Sequence, residues 1–386
     1  MGTKRVGFGI AALTCALVVA PILVTPIGST VAQAAAAPQF IVGTVNDLTS
    51  GTSCTAGIAT ASCSLRAAVA AANASTGATI TVPAGTYLLN GGSGSDTGDI
   101  DIKKPMTIVG TGKPTAPTAT SITGSGDRVF ELTSAASPVT IRGVRITGGN
   151  PGVNNVGGGI LTAAGSSLTL LESTVSGNSA KEGAGVHNSG TVTVDRSTLS
   201  GNTASGKGGG LFNAGTATVR NSTVNGNSAN GGGGIASSMA VQIIHSNITA
   251  NNSNNSSGGG LYRVGGTFTV KSSIIADNNA LSARDCAGTP TFQGVNIVES
   301  TPGCNPVGTV LQVDPTLDPL ADNGGPTLTQ LPRTGSPAID ATPCDPAILV
   351  DQRGITRPSG SACDLGAVEL APLSFSLSLA ATPAQV

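Results

Sequence analysis

The chain has 386 residues, 55 of them Gly and 22 Pro, with a formal net charge of -1. Only 10% of residues are charged and 2% aromatic, where an ordinary globular domain is about a quarter charged. These values exclude a coiled coil, a collagen repeat, charge-driven disorder and a basic nucleic-acid-binding surface. They point instead to a Gly-punctuated β-solenoid.

Residues 1–37 read as a secretory signal peptide. Lys4 and Arg5 precede an apolar run from Val6 to Val24, and small residues offer cleavage after Ala34, Ala36 or Ala37. An uncleaved membrane anchor is the alternative, with Pro21 breaking the run. Beyond it lie Cys54, Cys63, Cys286, Cys304, Cys344 and Cys363. An even set of cysteines in an exported chain suggests disulfides. Their clustering favours the local pairs Cys54–Cys63, Cys286–Cys304 and Cys344–Cys363.

Residues 38–138 read as an N-terminal cap and the first coils. Ser64 can N-cap a short helix that buries Leu65, Val69 and Ala72, forming a lid over the solenoid edge. Residues 139–286 carry the regular repeat. Apolar residues hold four columns, which begin at Leu168, Leu170, Val175 and Ile160 and continue in the next coil at Val192, Val194, Leu199 and Val186. Period-two alternation predicts short strands, and stacked coils about 4.8 Å apart predict a parallel β-helix with aliphatic ladders inside. Asn178, Asn202, Asn227, Asn251 and Asn278 form a turn column whose amides can bond above and below. The Gly runs mark a second bend. They lack the Lys-Ser/Thr and helix start of a phosphate loop.

In residues 287–370 the period fails, and turn-forming strings predict a looped C-terminal cap pinned by Cys344–Cys363. Residues 371–386 alternate at Leu373, Phe375, Leu377 and Leu379, as in the first strand of a further β-domain that the chain does not complete.

Several of these strings resemble known modules. CSLRAAVAAAN, with its core at 63–68, resembles the CSLREA motif of exported bacterial β-helix proteins. DNGGPTLTQL, GSPAIDA, DQRGITRP and ACDLGAVE resemble the choice-of-anchor Q module. The GGGL and SGN elements are similar to repeats of polymorphic outer-membrane proteins and of right-handed β-helices. One departure is Ala67, where the motif has Glu; the capping box with Ser64 is lost. The resemblance implies an exported, surface-associated right-handed β-helix of the pectin-lyase-like type, and implies no reaction. The usual hand of parallel crossovers agrees.

Two outward strips are candidate sites. His187, Phe212 and Tyr262 follow one apolar ladder and could stack on a sugar or a partner protein. Glu172, Asp195, Arg196, Arg220 and Lys271 form a charged strip whose signs alternate between coils, as in cross-coil ion pairs. Thr169, Thr193, Thr218 and Thr269, with Gln242, make an outward hydroxyl ladder. Such arrays resemble ice-binding surfaces, and Thr is also the best polar residue for an exposed strand. LPRTG at 331–335 matches the sortase pentapeptide but lacks the apolar span and basic tail that a sortase substrate carries after it. The cap's Asp residues lack a Ca²⁺-loop spacing, so no cofactor or metal is expected.

The expected function is adhesion, binding or display by a secreted or cell-surface β-helix, without catalysis. The alternatives are a polysaccharide lyase or hydrolase on the same fold, and a spacer for a further domain. Three carboxylates converging in a groove with an Arg or Lys would favour the enzyme. Expected partners are polysaccharide, cell-envelope material or surface proteins, and not nucleic acid. Membrane contact is expected only through export or an uncleaved anchor, and the chain is expected to be a monomer.

Overall fold

A computed structural model describes residue 2 and residues 36–48, 53–90, 98–116 and 119–370. Most of the expected signal peptide, and the tail 371–386, lie outside these residues.

Alternation of apolar and polar residues makes each coil a chain of short strands, with one side chain inward and the next outward. One coil contains Thr191–Asp195, Thr198–Ser200, Thr203–Ala204 and Leu211–Asn213. Each strand pairs in parallel with its equivalent in the next coil. The result is a right-handed parallel β-helix with sheets of ten, nine, eight and four strands among the described residues. The apolar columns keep the register read from the sequence: Leu168, Val192, Ala217, Val241 and Phe268 stack in line. All five are buried. Each large aliphatic so covered contributes about 1.5–3 kcal/mol.

Side-chain ladders hold the bends. Asn178, Asn202, Asn227 and Asn251 each donate from Nδ2 to Oδ1 of the next Asn, at 2.9–3.0 Å. The series ends on Asp285, whose Oδ1 accepts from Asn278 Nδ2 at 2.9 Å. At the preceding bend the amide N–H groups of Ser173, Ser197, Ser222 and Ser246 each donate to the hydroxyl of the next Ser. Beside it, Glu172, Arg196, Asn221, His245 and Ser272 all adopt φ of 43–49°. This column of left-handed residues turns the ten-stranded sheet into the nine-stranded one.

The N-terminal edge is covered as expected. Helix α1 (Leu65–Asn73) is capped by Ser64, whose hydroxyl accepts from Ala67 N, and it buries Leu65, Val69 and Ala72. All three local disulfides form.

Past Cys286 the sequence period fades but the pairing continues. Cys286–Ala287, Thr291–Gln293 and Ile297–Val298 add a further coil, and Gly288, Thr291 and Ile297 bridge to Cys304, Val307 and Leu311. Strands of two or three residues carry too few alternations to show as a period. The later C-terminal segment then closes the fold from the side, lying along the nine-stranded sheet. Outward Thr198, Thr223 and Thr249 donate to Leu328 O, Gln352 Oε1 and Gln330 Oε1 of this strap. Asn247 Oδ1 accepts from Ala367 N, and Lys113 pairs with Asp322 at 2.7 Å. Arg357 and Glu369, both fully covered, pair within the strap at 2.7 Å.

Candidate functional site

The expected aromatic strip is in register. Glu131, Leu161, His187, Phe212, Ala236 and Tyr262 form one outward column of the eight-stranded sheet. Yet His187 and Phe212 are only 9% and 8% exposed, with rings stacked at 5.2 Å. The Gly runs are the reason. At Gly183 a Cβ would stand 2.8 Å from His187 Cβ, and at Gly232 one would stand 2.9 Å from Tyr262 Cβ. The backbone entering each coil therefore passes directly over the strip, so outward does not mean exposed here. Burial pushes His187 down to about 4, and its Nδ1 has no partner. Tyr262 is half-buried, beside an open cavity of about 250 Å³ that Glu182, Lys207 and Asn230 also line.

The charged strip consists of ion pairs. Glu172 lies between Arg142 and Arg196 at 2.6 and 2.8 Å, and Arg220 bonds Asp195 at 2.8 Å. Lys271 instead reaches the strap at Asp345, 2.7 Å away. Partly exposed pairs of this kind contribute about 0–1 kcal/mol each. His245, within electrostatic reach of Lys271 and of the strap's Arg357 and Asp345, is fully buried; burial first and Arg357 second push it down to about 3.

The fold also assembles a cluster that sequence reading missed. Ligand oxygens of Asp99, Asp101 and Glu131 lie within 4.8 Å of one another. The alternating Asp-Ile-Asp of one coil and the Phe-Glu-Leu of the next hold the signal, but it emerges only once Asp101 is known to pair with Glu131. Arg128 Nη1 bonds both Asp99 and Glu131. Arg66 of α1 grips Asp47 and donates to Asp99 O. Burial pushes the Asp99 carboxyl up to about 6, against the pull of Arg128. Three carboxylates with an Arg are thus present. The adjoining cavity is about 130 Å³, below the roughly 300–1,000 Å³ of ligand pockets. The Arg128 guanidinium already meets two of the carboxylates, an arrangement that fits an N-terminal clamp better than a cation.

The sheet with the most strands among the described residues, ten, presents a further outward face. Its outward column runs Thr79, Thr107, Thr140, Thr169, Thr193, Thr218, Gln242, Thr269 and Thr291 in unbroken register. All of these residues are half-buried or exposed. Their backbone groups serve the sheet, while none of these threonine hydroxyls has a partner among the described residues. The column therefore starts a long way upstream of the four threonines that sequence periodicity identifies.

No family model matches the chain, and no curated protein matches it. Among solved structures it is similar to one described as "Crystal structure of pectate lyase Pel9A". The TM-score is 0.47 and the identity 15%, over 79% of this chain and 90% of that one. A likeness at that level adds nothing to the functional argument. Three disulfides fit an oxidising, extracellular environment. No helix among the described residues is long and apolar enough to cross a membrane.

Proposed function

We propose that the protein is an exported β-helix acting at the cell exterior as a rigid binding or display surface, without catalysis. The threonine column carries this reading: a long register of outward hydroxyls with no partner among the described residues. Polar groups left over by folding can serve another surface, and a regular repeat lets many weak contacts act together. The test is retention of the purified chain on isolated cell walls, insoluble polysaccharides and ice, compared with Thr193→Lys/Thr218→Lys. Wild-type retention on at least one solid, lost in the variant, supports the reading. Retention on none, or retention that the variant leaves unchanged, overturns it.

A second reading, a carbohydrate-active enzyme, draws on the Asp99–Asp101–Glu131 cluster, in which burial pushes Asp99 up to about 6. Turnover of a polysaccharide that disappears in Asp99→Asn, with the fold retained, would establish it.

A further inference from the structure

On the ten-stranded face the hydroxyls form a lattice in two dimensions. Ser167, Thr191 and Thr216 make a second outward column, in register with one another and two residues before Thr169, Thr193 and Thr218. Ala240 follows Thr216 in register without a hydroxyl, and Thr267 in the next coil again stands two residues before Thr269. Rows repeat every coil, about 4.8 Å, and the two columns lie about 6.7 Å apart along the strand. Neither column contains a charge or an aromatic ring. The side chains are stiff, because branching at Cβ restricts χ1. The backbone beneath is pinned by the Asn and Ser ladders.

Hydroxyls without a partner occur elsewhere among the described residues too, as at Thr174 on the nine-stranded sheet, but those of Thr198, Thr223 and Thr249 in the next three coils of that sheet are taken up by the strap. The strap stops at the charged strip, at Asp345 on Lys271, and its residues 347–350 lie beside Asp195 and Arg220. The threonine columns beyond remain open to solvent.

A matching partner is neutral, both donates and accepts hydrogen bonds, and repeats in two dimensions near the coil spacing. A globular partner has no such repeat, and pairing of two copies of this chain through the face would show as a dimer in solution. A single glycan chain repeats in one dimension only; a crystalline polysaccharide face repeats in two, and the experiment below separates it from ice. An ice surface has all three properties, with like water molecules spaced close to the strand separation. Each hydroxyl can hold a bridging water in a place that the lattice continues. We infer that the ten-stranded face binds ice. This inference rests on the reading of that face as the binding surface.

The experiment uses the fluorescently labelled full chain and slowly grown ice. It measures partition into the ice and the gap between melting and freezing points. Wild type should enter the ice and open a gap. In Thr193→Lys/Thr218→Lys partition should fall about tenfold or more, as expected when a multivalent array is interrupted. Ser205→Lys, at an exposed bend just after a strand of the four-stranded sheet, should behave as wild type. Circular dichroism and melting check the fold, and Thr140→Lys replaces the double variant if that melts early. Exclusion of wild type from ice, or equal entry of the variant, overturns the inference. Retention on chitin, cellulose or cell walls, lost in the variant while ice excludes wild type, leaves the face as the binding surface and removes ice as its partner. No effect of the variant on any solid removes both.

Discussion

Removing one amide from the middle of the asparagine ladder should cost far more than its size suggests. Asn227 is fully buried. Its Oδ1 accepts from Asn202 N and Nδ2 at 3.0 and 2.9 Å, and its Nδ2 donates to Leu199 O and Asn251 Oδ1 at 3.0 and 2.9 Å. In Asn227→Ala the Asn202 N–H loses its partner, while Asn202 Nδ2 keeps Val175 O and Asn251 Oδ1 keeps Asn227 N. With about 1–3 kcal/mol per buried group deprived of a bond, and the Leu199 carbonyl also affected, the expected loss is about 2–5 kcal/mol. Asn227→Asp tests the direction of the ladder. It keeps the acceptor toward Asn202 but faces an oxygen to two acceptors, so it should be at least as damaging near neutral pH and recover in acid as the carboxyl protonates. The assay is urea unfolding followed by far-ultraviolet circular dichroism. Asn230→Ala, at an exposed position of the four-stranded sheet, serves as control, with a change within about 0.5 kcal/mol. A loss below about 1 kcal/mol in Asn227→Ala, or equal behaviour of Asp and Asn at neutral pH, would refute a directional ladder.

Three further outcomes follow from the same geometry. Burial holds Asp285 up to about 6, so its contribution to stability declines as pH rises from about 4 to 6, while His187 and His245, held down to about 4 and about 3, contribute the opposite slope. Asp285→Asn should therefore make the unfolding free energy rise more steeply with pH across that window, by about 1–3 kcal/mol in full; an unchanged slope in urea unfolding counts against it. Gln352→Ala removes the partner of Thr223 Oγ1 and donors to Thr198 and Thr327, and should expose the 312–370 strap to limited proteolysis while the solenoid keeps its circular dichroism. Glu172→Gln should cost less than about 1 kcal/mol, with the difference from wild type fading in high salt; a salt-independent loss of several kcal/mol would show a buried role.

Periodic features were legible because neighbouring coils repeat them: the aliphatic ladders, the Asn column and the outward direction of each strip. The disulfides and the Ser64 cap were legible because they are local. Three things were not. Alternation reports which side of a strand a residue faces, not what lies above it, so His187 and Phe212 read as exposed although Gly-run backbone covers them. The strap docks through single aperiodic side chains such as Gln330 and Gln352, which carry no pattern. Asp99, Asp101 and Glu131 meet across early coils whose lengths differ, and the register there cannot be counted from sequence.

The scarcity of charge follows from the stacking itself. A repeated charged residue would place like charges about 4.8 Å apart in every coil, a repulsion of about 1 kcal/mol per neighbour even in water. The fold carries charge on the sheets by alternating its sign, with Glu172 between Arg142 and Arg196 and with Asp195 against Arg220. Elsewhere charge gathers at seams and ends: Arg66 and Arg128 under the N-terminal cap, Asp285 at the end of the Asn ladder, Arg357 with Glu369 inside the strap. Asn, Ser and Thr escape the penalty, since each both donates and accepts and can stack on itself indefinitely. The buried bends use that property within the fold. The two threonine columns of the ten-stranded face present the same kind of neutral, self-repeating chemistry with their hydroxyls unspent, which is why the composition and the proposed binding surface have one physical origin.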